Sequence, residues 1–218
     1  MKQFFLFLFA GFFALSVSAQ SEKYLNAMQP KVDAIDTTYS LAGLQDIANA
    51  FERIAEAEKT QWLPYYYSAL ANVNAGYMMM GSDFMNDNYG KIDPIADKAE
   101  KLLFKAEELN KDNSEIWVVK RMIITLRASA NAMQRYAMFA DAAQALETAK
   151  KLNPENPRIY LLEGQTKFYT PEQFGGSKEE AKKLFEEAKK KYEAFKPESS
   201  IHPNWGKGQV EYFMSQIK

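Results

Sequence analysis

The chain carries few side chains able to do covalent chemistry. It has one histidine, His202, and no cysteine. Nucleophilic catalysis by a Ser-His-Asp or Cys-His arrangement needs a base or a thiolate beside the nucleophile. His202 stands in Ser-Ile-His-Pro-Asn, a loop signal with nothing to polarise the ring, so it reads as a surface or capping residue. The same count removes histidine-rich zinc sites, the His-Glu-x-x-His motif, thiolate metal sites and disulfides.

Paired carboxylates occur at Glu107-Glu108, Glu179-Glu180 and Glu186-Glu187. Two acids facing one cleft serve hydrolysis, but adjacent helical residues point about 100 degrees apart. On helices these acids read as a solvated face, interleaved with Lys182-Lys183 and Lys189-Lys190-Lys191 at pairing distance along the helix. Asp83-Phe84-Met85-Asn86-Asp87-Asn88 gathers oxygen ligands in a loop but lacks the spacing of a calcium hand, so no metal is expected. Phe174-Gly175-Gly176 reads as a tight turn with Phe174 folded back onto its unit, since no basic residue stands where a phosphate loop needs one. Tyr65-Tyr66-Tyr67 and Met78-Met79-Met80 supply adaptable apolar surface. Three consecutive residues cannot all face inward on a helix, and Tyr66 is the one expected on display. The chain therefore reads as a non-enzyme with no cofactor.

These side chains must be positioned by helices. A small-large-small triad, Ala-x3-Φ-x2-Ala, recurs at Ala50/Ile54/Ala57, Ala99/Leu103/Ala106, Ala142/Leu146/Ala149 and Ala181/Phe185/Ala188. Residues four and then three apart share a helical face, so each triad offers two flat positions around one bulky side chain to a close neighbour. The triads start 49, 43 and 39 residues apart, room for two helices and their turns. Leu152-Asn153-Pro154 follows the third triad, Asn156-Pro157 opens the next helix, and Gly164 lies within it.

On those residues the chain resembles the tetratricopeptide repeat family over roughly residues 40 to 195, with Trp117 at the aromatic position that opens a first helix. The family period is about 34 residues, so these units are irregular, with the excess at Met80–Asp93 and Thr170–Gly176. The resemblance implies an all-α fold: a short right-handed α-solenoid of helix pairs whose first helices line a concave groove for a partner protein or peptide. By that resemblance the groove draws on Tyr66, Ala69 and Val73, then Val118, Met122 and Thr125, then Arg158, Leu161, Gln165 and Tyr169.

The residues set the helix limits. Helices are expected over 22–35, with Pro30 expected to kink that helix or end it early, over 41–58, and over 65–80 after Trp62-Leu63-Pro64. Asp93-Pro94 is expected to open a helix to Leu109, Asn113 or Ser114 one to Ala130, and Ala132 one to Leu152. Asn156-Pro157 starts a helix to Phe168, and the capping box Ser177-Lys178-Glu179-Glu180 starts one to Phe195. Trp205 to Ile217 is expected to cap the array.

Residues 1–19 read as a secretory signal peptide: Lys2, an apolar stretch from Phe4 to Leu15, and Ser16-Val17-Ser18-Ala19 before the cut. That stretch is shorter than the about 20 residues a bilayer span requires. The single domain, 20–218, is expected to be exported, periplasmic or extracellular, with no stable membrane insertion. The 27 basic and 28 acidic residues give a net charge of −1, and loss of Lys2 makes it more negative, which argues against nucleic acid. The leading expectation is an exported interaction module. Two alternatives stand beside it: a structural subunit of a homo-oligomer or envelope assembly, and a small-ligand accessory protein linked to uptake.

Overall fold

The computed structural model describes residues 22–81 and 89–217. The expected leader and the Asp83–Asn88 loop lie outside the described residues. Helices follow one another without a strand among them: α1 (22–35), α2 (Leu41–Ala57), α3 (Trp62–Met80), α4 (Tyr89–Leu109), α5 (Ser114–Ser129), α6 (Met138–Leu152), α7 (Pro157–Tyr169), α8 (Lys178–Ala194) and α9 (Lys207–Gln216).

Local chemistry explains most of the starts. Ser40 accepts a hydrogen bond from the Gly43 amide, Asn113 from Glu115, Asn156 from Arg158 and Ser177 from Glu180, each satisfying a donor that the first turn leaves unpaired. Pro157 occupies the first turn of α7, where a missing N–H costs nothing.

Four expected helix starts and one expected break are corrected. Helix α3 begins at Trp62, not Tyr65, with Pro64 in its first turn. Pro94 does not open α4, which starts at Tyr89 and carries the proline inside it. The carbonyl that Pro94 leaves unbonded belongs to Gly90, still in the first turn, so the penalty is small. Pro30 likewise lies exposed within an uninterrupted α1. Helix α6 begins at Met138, not Ala132, because residues 130–137 form turns. There Asn131 accepts from the Gln134 amide and Arg135 grips Asp93 with both terminal nitrogens, at 2.6 and 2.7 Å. Trp205 falls outside α9 because Gly206 takes a φ of 100° and breaks the chain there.

Three of the four alanine triads are buried throughout, each on the second helix of a pair. The first is only half covered, since Ala57 is exposed at the edge of the array. Helix pairs α3–α4, α5–α6 and α7–α8 pack closely, and α3 lies beside α5, the arrangement of an α-solenoid. Tyr66 near the start of α3 meets Glu115 at the start of α5, while Tyr77 near the end of α3 bonds the Met122 carbonyl further along α5. Arg158 at the start of α7 pairs with Glu115, and Arg121 reaches Thr166 further on. Partners advance together, so α3, α5 and α7 run parallel. Helix α9 lies next to α7 in the same direction, with Gly206 against Leu161 at one end and Phe213 against Tyr169 at the other.

Close approach fixes two glycines. A β-carbon at Gly164 would sit 2.5 Å from the Phe185 ring, and one at Gly76 2.5 Å from Leu126. Phe185 is wholly buried and stacks on Phe213 at 5.1 Å, so it has nowhere to retreat. Gly164→Ala is expected to destabilise the fold by about 1–3 kcal/mol through overpacking, read as a lower urea midpoint with an unchanged slope; an unshifted midpoint would show that α7 and α8 can separate freely.

Candidate functional site

The row α3, α5, α7, α9 presents its N-terminal and C-terminal halves very differently. At the N-terminal half, Glu115 stands in the first turn of α5 and Arg158 in the first turn of α7, with Nη1 2.9 Å from the carboxylate. Asn156 donates to the same oxygen at 2.9 Å and to Ser114 Oγ at 3.0 Å. The Tyr66 hydroxyl donates to the other Glu115 oxygen at 3.2 Å and accepts from the Trp205 indole at 2.8 Å. Rings of Tyr192, Phe195 and Trp205 surround the guanidinium at 5.8, 5.0 and 5.2 Å. Nε and Nη2 of Arg158 have no hydrogen-bond partner, so these π faces are their compensation.

Burial pushes the Glu115 carboxyl up, while the Arg158 charge and the donors from Tyr66, Asn156 and Arg158 pull it back. The Tyr66 hydroxyl is driven well above its ordinary range by burial and then by the Glu115 charge.

The segment between α8 and α9 lies across this half. Tyr67 donates to the Ile201 carbonyl at 3.0 Å, Tyr192 to the Trp205 carbonyl at 2.9 Å, and the Gly206 amide to Asp36 at 2.8 Å. The chain thus fills its own groove here.

The expected groove residues divide accordingly. Tyr66, Ala69, Val73, Val118, Arg158 and Leu161 are wholly buried and Met122 nearly so, which corrects the expectation that they form an open surface. Tyr66 in particular is not displayed; Tyr65 is the least buried of its triplet, half-buried against the core, and Met78 is the exposed member of the other. Phe174 does not fold back but stands exposed after Gly175 takes a φ of 90°. Thr125, Gln165 and Tyr169 remain at the C-terminal half: Tyr169 is exposed, Gln165 and Thr125 are half-buried, and the Thr125 hydroxyl itself is buried.

There Tyr169 of α7 and Tyr212 of α9 are 62% and 59% exposed and bracket the buried Phe213 ring, at 5.7 and 5.4 Å. Phe168 adds a ring 5.2 Å from Phe213, with the Lys178 ammonium over its other side. Gln165 donates to Gln209 across the α7–α9 seam at 3.1 Å. Partial burial and the neighbouring Tyr212 raise the Tyr169 hydroxyl above its ordinary value. The result is a shelf of aromatic rings, edge-on to one another, suited to stack a flat apolar ligand.

Arg121 of α5 abuts this shelf through Thr166, one helical turn before Tyr169. Neither it nor Tyr212 and Gln209 was expected at the site. A signal for Arg121 does exist, since Lys120-Arg121 interrupts the apolar run from Val118-Val119 to Met122-Ile123. Two open depressions lie apart from this shelf, one between α4 and α5 walled by Phe104, Glu107 and Trp117, the other walled by Tyr24, Ala50 and Arg53.

His202 is committed within its loop: Nδ1 meets Ser199 Oγ at 2.8 Å and Nε2 meets Glu198 at 3.1 Å. The paired acids are engaged in ion pairs along the surface, Glu107 with Lys120, Glu108 with Lys105, Glu179 with Lys183 and Glu187 with Lys191. No group of three or more metal-ligating side chains converges among the described residues, and none of the described helices is long and apolar enough to cross a membrane.

No family model and no curated protein matches the chain. Among solved structures, the chain is similar to the HusA haemophore from Porphyromonas gingivalis, at 32% identity with a TM-score of 0.75, over 89% of this chain and 92% of that one.

The buried pair yields a stability prediction. Glu115→Ala leaves the Arg158 charge uncompensated inside the fold and is expected to cost about 3–5 kcal/mol. The double variant Glu115→Leu with Arg158→Met removes both charges and is expected to be less destabilised than the single one, measured by urea unfolding. A double variant weaker than Glu115→Ala would mean that the cage, not the charge pairing, dominates.

Proposed function

The chain belongs to the family of the HusA haemophore, and from that premise we propose that it is a non-enzymatic carrier that binds haem or a related flat tetrapyrrole outside the cytoplasm in support of uptake. The observation that carries this reading is the exposed Tyr169–Phe213–Tyr212 shelf on α7 and α9. A tetrapyrrole offers one broad aromatic face and a carboxylated edge. Stacking on edge-to-face rings captures the face without a directional bond. With both His202 nitrogens engaged, ring contact rather than imidazole ligation supplies the binding.

The leader-like pattern of residues 1–19 in the sequence supports an exported site of action. A tetratricopeptide-like descent of the helix pairs fits the same picture, with the first helices turned from peptide capture to small-ligand capture. The half of the groove that a peptide would need is occupied by residues 195–206, which favours the small ligand over an extended peptide.

Titrating haem into the protein is expected to shift and sharpen its Soret band to a saturating end point. Tyr169→Ala and Tyr212→Ala should each weaken affinity about three- to tenfold, the equivalent of about 0.5–1.5 kcal/mol per ring contact. Affinities unchanged in both variants would move the ligand off this shelf, and a flat titration would remove the haem reading.

A further inference from the structure

Two arginines are buried in this fold, and they are treated unlike. Arg158 has Glu115. Arg121, also buried, has no carboxylate within ion-pair distance among the described residues. Its hydrogen bonds all leave from Nη2, to Thr166 Oγ1 at 2.7 Å and to the Leu162 carbonyl at 3.4 Å. Nε and Nη1 make none among the described residues, and neither is sealed from solvent, unlike the orphaned nitrogens of Arg158. One turn along the same face of α5, the Thr125 hydroxyl is buried without a partner.

A guanidinium with so little exposure is costly, because most of its water is lost and no anion among the described residues replaces it. Arginine does not escape by deprotonating. Burial draws its affinity for the proton down, with only the Tyr77 hydroxyl opposing, and no acid contributes. The planar fork matches a carboxylate, and the free Thr125 hydroxyl adds a donor beside it.

We propose that Arg121, assisted by Thr125, is a carboxylate-binding subsite that clamps an acid group of the ligand between α5 and α7 while its ring lies on Tyr169 and Tyr212. This rests on the carrier reading above and adds an orientation: the acid edge of the tetrapyrrole points inward to α5, and the opposite edge faces out. The carrier therefore selects free-acid tetrapyrroles over esterified ones.

The test titrates haem and haem dimethyl ester into the wild-type chain, Arg121→Met and Thr125→Val, with helical circular dichroism confirming the fold of each variant. Arg121→Met leaves no orphaned acid behind, so the fold is expected to hold. The wild type should prefer the acid by about ten- to a hundredfold, the range of a hydrogen bond to a charged group. That preference should weaken with added salt, vanish in Arg121→Met and shrink in Thr125→Val. Equal wild-type affinities for acid and ester, a comparison that needs no variant, would overturn the subsite and leave the carrier reading standing. So would an undiminished preference in a folded Arg121→Met. A wild type that binds neither compound would overturn both.

Discussion

The pairing of Arg158 with Glu115 is the constraint from which the rest of the arrangement follows. A guanidinium and a carboxylate at the starts of neighbouring first helices cannot lie in a dry interior without company. Each demand on them recruits another part of the chain: Asn156 and Tyr66 satisfy the carboxylate, while Tyr192, Phe195 and Trp205 cover the guanidinium. Trp205 comes from the far end of the sequence, so the pair binds the C-terminal segment to the first and third helix pairs. Asp36 then fixes Gly206, and the direction in which α9 leaves is set.

That closure decides which part of the row stays open. By sealing the N-terminal half of the row, the segment 195–206 leaves the C-terminal ends of α5, α7 and α9 as the accessible part. Had α9 not been fixed alongside α7, Phe213 would not stack on Phe185 and the two tyrosines would have no ring between them. A buried electrostatic requirement at one end thus places an aromatic surface at the other.

The helices were legible because their signals are local. The triads, the Asn and Ser caps and Pro157 each act within one turn, and the helices they mark fall where they should. Errors appeared where a distant contact overrode a local rule, as when the Asp93–Arg135 grip holds residues 130–137 in turns that helix propensity would have absorbed. The burial of the groove residues is not legible in the sequence for a related reason. Facing inward on a first helix is a periodic property, but being open depends on what covers that face. Nothing in the spacing of Tyr66 or Leu161 reveals that Trp205, well over a hundred residues beyond Tyr66, fills the space above it.

Arg121 shows the converse. A charge inside an apolar helical run is visible in the sequence, yet its meaning turns on whether an acid meets it in the fold. Arg158 stands instead at the second position of α7, behind Pro157, and its acid is present in the fold, so it belongs to the framework. For Arg121 the fold supplies a threonine hydroxyl and a carbonyl, both neutral, beside a second threonine with no partner. A fold that elsewhere encloses a single guanidinium with one carboxylate and three rings has the means to neutralise a charge when the charge is structural. Among the described residues no acid meets Arg121, and under the carrier proposal that unmet charge is what assigns the acid edge of a ligand to α5 and its flat face to α7 and α9.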